Sequence, residues 1–243
     1  MASYVTLHLR SAPLETPQAA EAFFARVQSD AAKYLRGVRR VECYECETTQ
    51  LMWDIPQPWK HLTIYDRELD EPEIDIPALA PILANYRAEG LTSQDTAERI
   101  YTYRMYHDWR LSRNWKPGPF THMMFLLANL TPGREAEYHK WYDEHHSVEV
   151  SNTPGYVGMR RGKLDAVQVP PVEYCAGSEI ILAPIQTTDL RMSLEDFGAR
   201  AQGRSPSGVA WGPRSSSASK ARTVHIFKRV GEPQILTTGT VCL

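Results

Sequence analysis

The sequence has no long apolar run and little cysteine. Its 243 residues include four cysteines, too few for the disulfide framework of a small secreted protein. No apolar run approaches the ~20 residues that a membrane-spanning helix needs, and the N-terminus lacks a basic region followed by an apolar one. We therefore predict a cytoplasmic protein with reduced thiols that does not associate with a membrane.

An excess of charge of one sign is also missing. Lysine and arginine number 27 against 29 aspartates and glutamates, which gives a net charge of −2. Both signs are interspersed, so no basic surface is available to neutralise nucleic-acid phosphates. The charged fraction of 23% and the apolar fraction of 42% are typical of a globular protein with a buried core. Nucleic acid is not expected as a partner.

Motifs for organic cofactors and for an activated serine are absent. The sequence has no phosphate-binding glycine loop, no dinucleotide fingerprint and no Gly-x-Ser-x-Gly nucleophile. Cys43 and Cys46 have the spacing of a redox or zinc pair, but residues three apart in a strand face opposite sides, and no second pair completes a zinc site. The chemistry that remains is acid-base catalysis by side chains.

Hydrophobic periodicity predicts the element order β-α-β-β-α-β twice. The first set comprises strands at 4–10, 38–48, 59–65 and 98–109, helices at 18–35 and 77–88, and a solvated acidic loop at 66–75. The second set comprises strands at 120–130, 156–164, 174–184 and 223–229, and helices at 132–152 and 193–201. In each half a Thr-Pro pair precedes the first helix, as an N-cap followed by proline at the first helical position.

This repetition indicates a tandem duplication with units at residues 1–115 and 116–243. Each unit has the pattern of a ferredoxin-like fold, an antiparallel sheet with two helices on one face. One such sheet leaves its other face uncovered, so we predict an α+β fold in which two sheets face each other and enclose a small-molecule cavity. The segment 203–220, rich in serine and glycine, is either a lid over a pocket or a surface insertion.

The predicted helix at 132–152 carries an amphipathic stripe. At 100° per residue one face holds Tyr138, Trp141, Tyr142, His145 and Glu149, with His146 at its margin. Histidine transfers protons near neutral pH, and Asp143, three residues earlier, could fix the tautomer of His146. We predict His146, Asp143 and His145 as the catalytic group. The alternatives are core packing for the aromatic residues and a hydrogen-bonded helix end for the histidines.

Further candidates lie on predicted strands. His122 and His225 occupy strands that adjoin in this fold, so they could approach across the sheet, and His61 occupies a strand of the first half. Arg160 could hold an anionic substrate or an enolate oxygen, with a surface salt bridge as the alternative. Tyr174 could donate a hydrogen bond. No His-x-His or His-x-x-x-His pair is present, so no metal is predicted.

The segment 128–161 resembles the strand-helix-strand region of the dimeric α+β barrel superfamily, in particular its EthD-like branch. The matching residues are Asn129, Gly133, Arg134, Glu135, Glu137, Tyr138, Trp141, Tyr142, Asp143, Glu144, His146, Pro154, Gly155, Tyr156 and Val157. The first half has neither the Trp-Tyr-Asp triplet nor a histidine on its helix. The resemblance therefore implies that the second half carries the site and that the first half lines it.

The superfamily includes cyclases, lyases, isomerases, haem enzymes and cofactor-free monooxygenases, so the fold does not choose among them. We predict a cofactor-independent enzyme of the lyase, cyclase or isomerase type that acts on a small hydrophobic carbonyl or phenolic metabolite. The alternatives are a cofactor-free or haem-dependent oxygenase or dehydratase, and a non-catalytic protein that binds a metabolite. The predicted substrate-binding residues are Tyr138, Trp141, Tyr142, Glu149, His122, Arg160, Tyr174 and His225. A homodimer is a further expectation.

Overall fold

The computed structural model describes the chain except for residues 13, 15, 52–56, 93–96, 113–114, 173–176, 205–210, 212–218 and 236–243 and the side chains of 219–222 and 234–235. Tyr174 and most of the segment 203–220 lie outside the described residues. The predictions made for them therefore stay predictions.

In the first half, the described residues form four strands and three helices. They are β1 (Ala2–Arg10), α1 (Pro17–Tyr34), β2 (Val38–Cys46), β3 (His61–Leu69), α2 (Pro72–Asp75), α3 (Leu79–Ala88) and β4 (Glu98–Met105). Helix α1 begins as predicted, because the hydroxyl of Thr16 accepts the N–H of Ala19 at 3.1 Å and Pro17 occupies the first helical position. It ends before Gly37, whose φ of +66° favours glycine.

The predicted acidic loop at 66–75 is wrong. Residues 66–69 continue β3, and residues 72–75 form the short helix α2. Strand β3 extends because Asp66 and Arg67 are buried with partners: Asp66 pairs with Arg160, and the guanidinium of Arg67 donates to the carbonyls of Arg36 and Asp75. The charged residues of this stretch predicted a solvent-exposed loop, whereas the structure buries Asp66 and Arg67 with partners.

The second half follows the same order with a divided first helix. It comprises β5 (Arg110–Leu111), β6 (His122–Leu130), α4 (Glu135–Trp141), a π-helical segment (Tyr142–His146), α5 (Ser147–Ser151), β7 (Gly158–Leu164), β8 (Glu179–Ile185), α6 (Leu190–Ala201) and β9 (Ser219–Ile235). The single helix predicted at 132–152 is thus three consecutive segments. No helix in the described part of the chain has both the length and the apolar character required to cross a membrane.

The strands form one closed antiparallel barrel. Their order is β4-β1-β3-β2-β9-β6-β8-β7, pairing of β4 with β7 closes the ring, and β5 adds to β7. Each half contributes four strands in the ferredoxin-like order, and the halves join through β2–β9 and β4–β7. The predicted α+β fold of two facing ferredoxin-like repeats is confirmed, and both repeats belong to one chain. The unit boundary at residue 115 stays a prediction.

Three apolar clusters fill the molecule. The barrel core consists of strand and loop side chains from both halves, including Leu7, Ile64, Phe125, Leu182 and Phe227. Helices α1 and α3 cover the outer face of the first sheet, and the second-half helices cover the outer face of the second. The space between the sheets is therefore largely occupied by side chains, as in other eight-stranded barrels.

Candidate functional site

His146 lies on the outer side of the second sheet, within the cluster that the second-half helices form. Its ring stacks on Trp141 with centroids 4.2 Å apart. Tyr142 and Trp211 meet it edge-on, each at 5.0 Å. The residue is 8% exposed. It does not line the cavity beside the following α5, whose wall contains Ser147, Val148 and Ser151, nor either of the two cavities described below. The prediction that a pocket between the sheets receives this imidazole is therefore wrong, because the helices pack outside the barrel.

Glu149 is the carboxylate beside His146, with its Oε2 at 3.2 Å from Nδ1. Asp143 instead accepts hydrogen bonds from Arg161 at 2.7 Å and from Arg110 at 3.3 Å. The cause is the π-helical segment, whose wider turn separates positions 143 and 146 around the helix axis. From position 146 to 149 the α-helical spacing returns. The predicted pairing of Asp143 with His146 is therefore wrong.

Because the π-helical turn is wider, the buried face of the helix includes position 146 instead of the predicted position 145. Tyr138, Tyr142 and His146 are buried, whereas the side chain of His145 is 63% exposed. The rings of Tyr138 and Tyr142 lie 4.7 Å apart. Burial, followed by Tyr142, raises the pKa of Tyr138 far above its usual range. The structure thus places the two tyrosines in the core and His145 in solvent, where it contacts Glu144.

His122 and His225 do not meet across the sheet. Strands β6 and β9 pair, but His122 lies opposite Lys228 and His225 lies opposite Phe125. The ring of His225 packs against Phe125 in the barrel core at 4.8 Å. Met124, on the same face of β6 as His122, belongs to the outer cluster. Strand alternation therefore directs the two histidines to opposite faces.

Arg160 is inside the barrel and fully buried. Its guanidinium donates to Asp66 at 2.8 Å, to the carbonyl of His107 at 3.2 Å and to the hydroxyl of Ser3. The predicted alternative, a surface salt bridge, is wrong because the strand edge on which it was placed is paired in the closed barrel. Asp66 already compensates the charge of Arg160, so the structure does not present Arg160 to an anionic substrate.

A cavity of about 520 Å³ lies between the start of α1 and the ends of β2 and β3. We call it the α1 cavity. Its wall contains both apolar and polar residues. They are Leu14, Thr16, Pro17, Ala20, Glu45, Cys46, Glu47, Thr48, Gln50, Gln57, Lys60 and His61. A volume of this size suits a small organic ligand, and the mixed lining is typical of ligand pockets.

His61 is the buried histidine of this wall, with 6% of its surface exposed. Its ring meets Phe24 edge-on at 5.5 Å, and its Nε2 accepts the N–H of Leu14 at 3.2 Å. A neutral imidazole that accepts at one nitrogen carries its proton on the other, so this hydrogen bond assigns the proton to Nδ1. Among the described residues Nδ1 has no hydrogen-bond partner. His61 thus carries a buried donor without a described partner in a residue that lines the cavity.

Two of the predicted histidines contact residues that line the α1 cavity. Nε2 of His122 lies 3.4 Å from Oε2 of Glu47, and Nδ1 of His225 forms a hydrogen bond with Gln57. Burial acts to raise the pKa of Glu47, but hydrogen bonds from Thr48 and the following backbone N–H lower it overall. Glu47 is therefore an ionised carboxylate in a fixed position. His122 and His225 support the wall rather than form it.

Burial holds the three histidines near this cavity neutral. Burial, with a further contribution from Arg10, lowers the pKa of His61 to about 4. Burial also lowers the pKa of His225 to about 4 and lowers that of His122. At pH 7 these rings can therefore donate or accept one hydrogen bond at each nitrogen without carrying charge.

These pKa values predict a loss of stability in acid. An unfolded histidine has a pKa near 6.5, so between pH 6.5 and 4 the unfolded chain binds more protons and the free energy of unfolding falls as pH falls. We expect His61→Gln to reduce this fall by up to about 3 kcal/mol at pH 4. The measurement is urea unfolding followed by circular dichroism at several pH values between 4 and 7.5.

The matched control is His145→Gln, which makes the same replacement at a histidine whose side chain is exposed, so that the two variants differ in the burial of the ring removed. Burial raises the pKa of Glu179 to about 7, so its contribution to stability has the opposite sign and falls as pH rises from 4.5 to 7. That contribution is common to all the variants and cancels in the comparison. Equal pH slopes for His61→Gln and the unaltered protein would contradict a neutral, buried His61.

Sequence reasoning placed His61 on a strand but did not select it. The pattern carries no motif around position 61, and the free Nδ1 depends on a hydrogen bond from Leu14, 47 residues earlier. Proximity of His61 to the start of α1 is likewise a product of folding. The only available signal was the number of histidines on predicted strands.

No protein-family model and no curated protein sequence matches the chain. Solved structures share its fold at low sequence identity. An anthrone oxidase-like protein shares 11% identity at a TM-score of 0.60, with 97% of this chain and 94% of that one covered. A proposed monooxygenase from Lactobacillus acidophilus NCFM shares 8% identity at 0.56, with 97% of each chain covered.

A proposed chlorite dismutase shares 9% identity at a TM-score of 0.51, with 95% of this chain and 96% of that one covered. Identities this low show the fold and leave the activity open. The coverage includes both ferredoxin-like halves, so the likeness concerns the whole closed barrel. The chain has the α+β barrel fold of these structures, with both halves of the barrel supplied by one polypeptide.

Proposed function

We propose that this chain is an enzyme that removes a proton from a small, largely apolar carbonyl or phenolic compound in the α1 cavity, without an organic cofactor. The observation that carries the proposal is the buried, neutral His61, whose Nδ1–H has no partner among the described residues of the cavity wall. A membership in the EthD-like branch, which the segment 128–161 resembles, is part of the proposal.

His61 and Glu47 have complementary roles in this scheme. The Nδ1–H of His61 donates to the substrate oxygen, and the carboxylate of Glu47 accepts the proton released from the neighbouring carbon or hydroxyl. Negative charge then develops on the oxygen, where a fixed donor in a buried wall stabilises it most strongly. Lys60 at the rim adds a positive charge, and Leu14 and Ala20 contact the apolar body of the substrate.

The structural neighbours favour molecular oxygen as the second reactant. A deprotonated anthrone can transfer electrons to O₂ with formation of a C–O bond at its methylene carbon, and loss of water then leaves a second carbonyl. The balanced reaction is anthrone plus O₂ giving anthraquinone plus water. This chemistry needs only a base and a group that stabilises the oxyanion, which are the functions assigned to Glu47 and His61. An isomerase, lyase or cyclase would use the same first step.

The test is oxygen uptake with anthrone as the probe, corrected for its spontaneous oxidation, with anthraquinone followed by absorbance. We expect one O₂ consumed per anthraquinone formed and a rate lowered roughly 10²–10⁴-fold in Glu47→Gln, because the base is lost. Glu195→Gln, which removes an exposed carboxylate on α6, is the matched control and should keep the full rate. A rate equal to buffer alone would count against anthrone oxidation.

Proton transfer is tested separately by exchange of the anthrone methylene hydrogens in D₂O. Exchange without oxygen uptake would favour the isomerase, lyase or cyclase class over the oxygenase. Binding of anthrone without exchange would favour the non-catalytic binding protein. A Soret band in the purified protein would favour the haem-dependent alternative, and its appearance would overturn the cofactor-free proposal.

A further inference from the structure

A second cavity, of about 280 Å³, lies at the opposite end of β2. We call it the Arg40 cavity. It is lined by Arg40, Trp115, Pro117, Gly118, Pro119, Phe120, Arg229, Glu232 and Pro233. Arg40 lies near the start of β2, whereas Glu45 and Cys46 at its end line the α1 cavity. At about 3.3 Å per residue these lining positions are roughly 20 Å apart along the strand. The Arg40 cavity is therefore separate from the proposed catalytic site.

Three residues of this wall carry a buried N–H group that has no hydrogen-bond partner among the residues that the structure describes. They are Nε of Arg40, Nη1 of Arg229 and Nε1 of Trp115, contributed by β2, β9 and the connection before β6. Arg40 is 8% exposed. A buried donor left unpaired costs about 1–3 kcal/mol, and more when it is charged. Three such donors in the wall of one cavity indicate a site arranged for an acceptor.

The charge of Arg229 favours an anion at this cavity. Arg40 is paired with the buried Glu42, whose Oε1 lies 2.5 Å from Nη2. Arg229 has a weaker partner, since its Nη2 lies 3.6 Å from Glu232, whose side chain is 82% exposed. An exposed pair at this distance compensates little of the charge of a largely buried guanidinium. A ligand carboxylate would supply the missing compensation.

The other wall residues define the rest of the ligand. The guanidinium of Arg40 lies over the ring of Phe120 at 5.0 Å, and Pro117, Pro119 and Trp115 add flat or apolar surface. A planar guanidinium matches a planar carboxylate by paired hydrogen bonds. The volume is at the small end of the range for ligand pockets, which limits the ligand to about one ring.

We propose that the Arg40 cavity binds a small aromatic carboxylate, with the carboxylate on Arg229, Arg40 and the indole N–H of Trp115 and the ring on Phe120. This inference does not depend on the proposed catalytic function. It supplies a binding site for an organic acid, held by groups on both halves of the barrel where β2 meets β9.

The test is calorimetric titration of the full chain with benzoate, compared with benzamide, its uncharged analogue, and with inorganic phosphate. We expect benzoate to bind at one site per chain, and both benzamide and phosphate to bind at least about tenfold more weakly, which corresponds to about 1.4 kcal/mol. Equal affinity for benzoate and benzamide, or for benzoate and phosphate, would overturn the proposal, as would no heat from 10 mM benzoate.

Variants locate the site. Arg229→Gln should weaken benzoate binding by about tenfold or more, because a charge-assisted hydrogen bond is lost. Trp115→Phe keeps a ring but removes the N–H, and should weaken binding by about threefold to tenfold. The control Arg191→Gln removes an exposed positive charge on α6 and should bind as the unaltered protein does. Unchanged affinity in both Arg229→Gln and Trp115→Phe would contradict the assignment.

A further variant separates this site from the catalytic one. His61→Gln should bind benzoate with unchanged affinity, whatever its effect on anthrone oxidation. Loss of benzoate binding in His61→Gln would place benzoate in the α1 cavity and overturn the assignment to the Arg40 cavity. Circular dichroism and the Tm of each variant show that the fold is retained, and benzoate should raise the Tm of the proteins that bind it.

Discussion

Replacing His61 with alanine is expected to lower the rate of anthrone oxidation by roughly 10²–10³-fold, the usual effect of removing one fixed oxyanion donor. Alanine removes the Nδ1–H that has no partner among the described residues and leaves the remaining wall in place. Because the donor acts mainly on charge that develops during the reaction, the loss should appear in kcat more than in KM. Steady-state kinetics with corrected oxygen uptake measure both constants.

Two further variants make the result specific. His61→Gln retains an amide N–H and should recover part of the activity, to within about tenfold of the unaltered protein. His146→Ala tests the histidine that the sequence selected, which is enclosed by Trp141, Tyr142 and Trp211. If His146→Ala loses the rate and His61→Ala keeps it, the catalytic site belongs to the second-half helices and the assignment to the α1 cavity is wrong.

Replacing Arg160 with methionine is expected to lower the free energy of unfolding by about 3–5 kcal/mol. Asp66 would lose its ion-pair partner at 2.8 Å, and the carbonyl of His107 would lose a hydrogen bond. Asp66 also has one oxygen, Oδ1, with no partner among the described residues. The carboxylate would thus remain buried without compensation, which is the costly outcome for a broken internal pair. Urea unfolding at pH 7 measures the change.

The matched control is Arg110→Met, because Arg110 is paired with Asp143 at 3.3 Å where both side chains are almost half exposed. Exposed pairs contribute about 0–1 kcal/mol, so this variant should unfold near the unaltered midpoint. The double variant Arg160→Met, Asp66→Asn should be more stable than the sum of the single changes implies, since the unpaired charge is gone. Equal losses for Arg160→Met and Arg110→Met would refute the proposed role of burial.

The sequence predicted the fold because strand and helix periodicities are local and repeat in both halves. Alternation along β1 and the 3.6-residue pattern of α1 follow from which side chains face the core. The Thr16-Pro17 start and the glycine after α1 were correctly located because caps depend on a few neighbouring residues. The start of the stretch at 66–75 was misinterpreted because Asp66 pairs with Arg160, 94 residues later, inside the barrel.

The candidate site could not be predicted in the same way. The stripe on the helix at 132–152 was analysed at a constant 100° per residue, whereas the π-helical segment changes that angle in its middle. As a result His146 is buried and His145 is exposed, the reverse of the predicted stripe. Asp143 accepts a hydrogen bond from Arg161 instead of pairing with His146. Such a widening depends on packing against the sheet, which local propensity does not encode.

The amino-acid sequence by itself determined the duplicated α+β architecture, the absence of phosphate and dinucleotide motifs and the presence of several strand histidines. Only the tertiary structure decided that the barrel interior is largely filled, that Nδ1 of His61 has no partner among the described residues, and that Arg229 pairs with an exposed glutamate. The physical reason is the sequence distance over which each feature forms. Periodicity and capping depend on residues close together in the sequence, whereas a cavity and its unpaired donors form only where strands, helices and loops from distant parts of the chain meet.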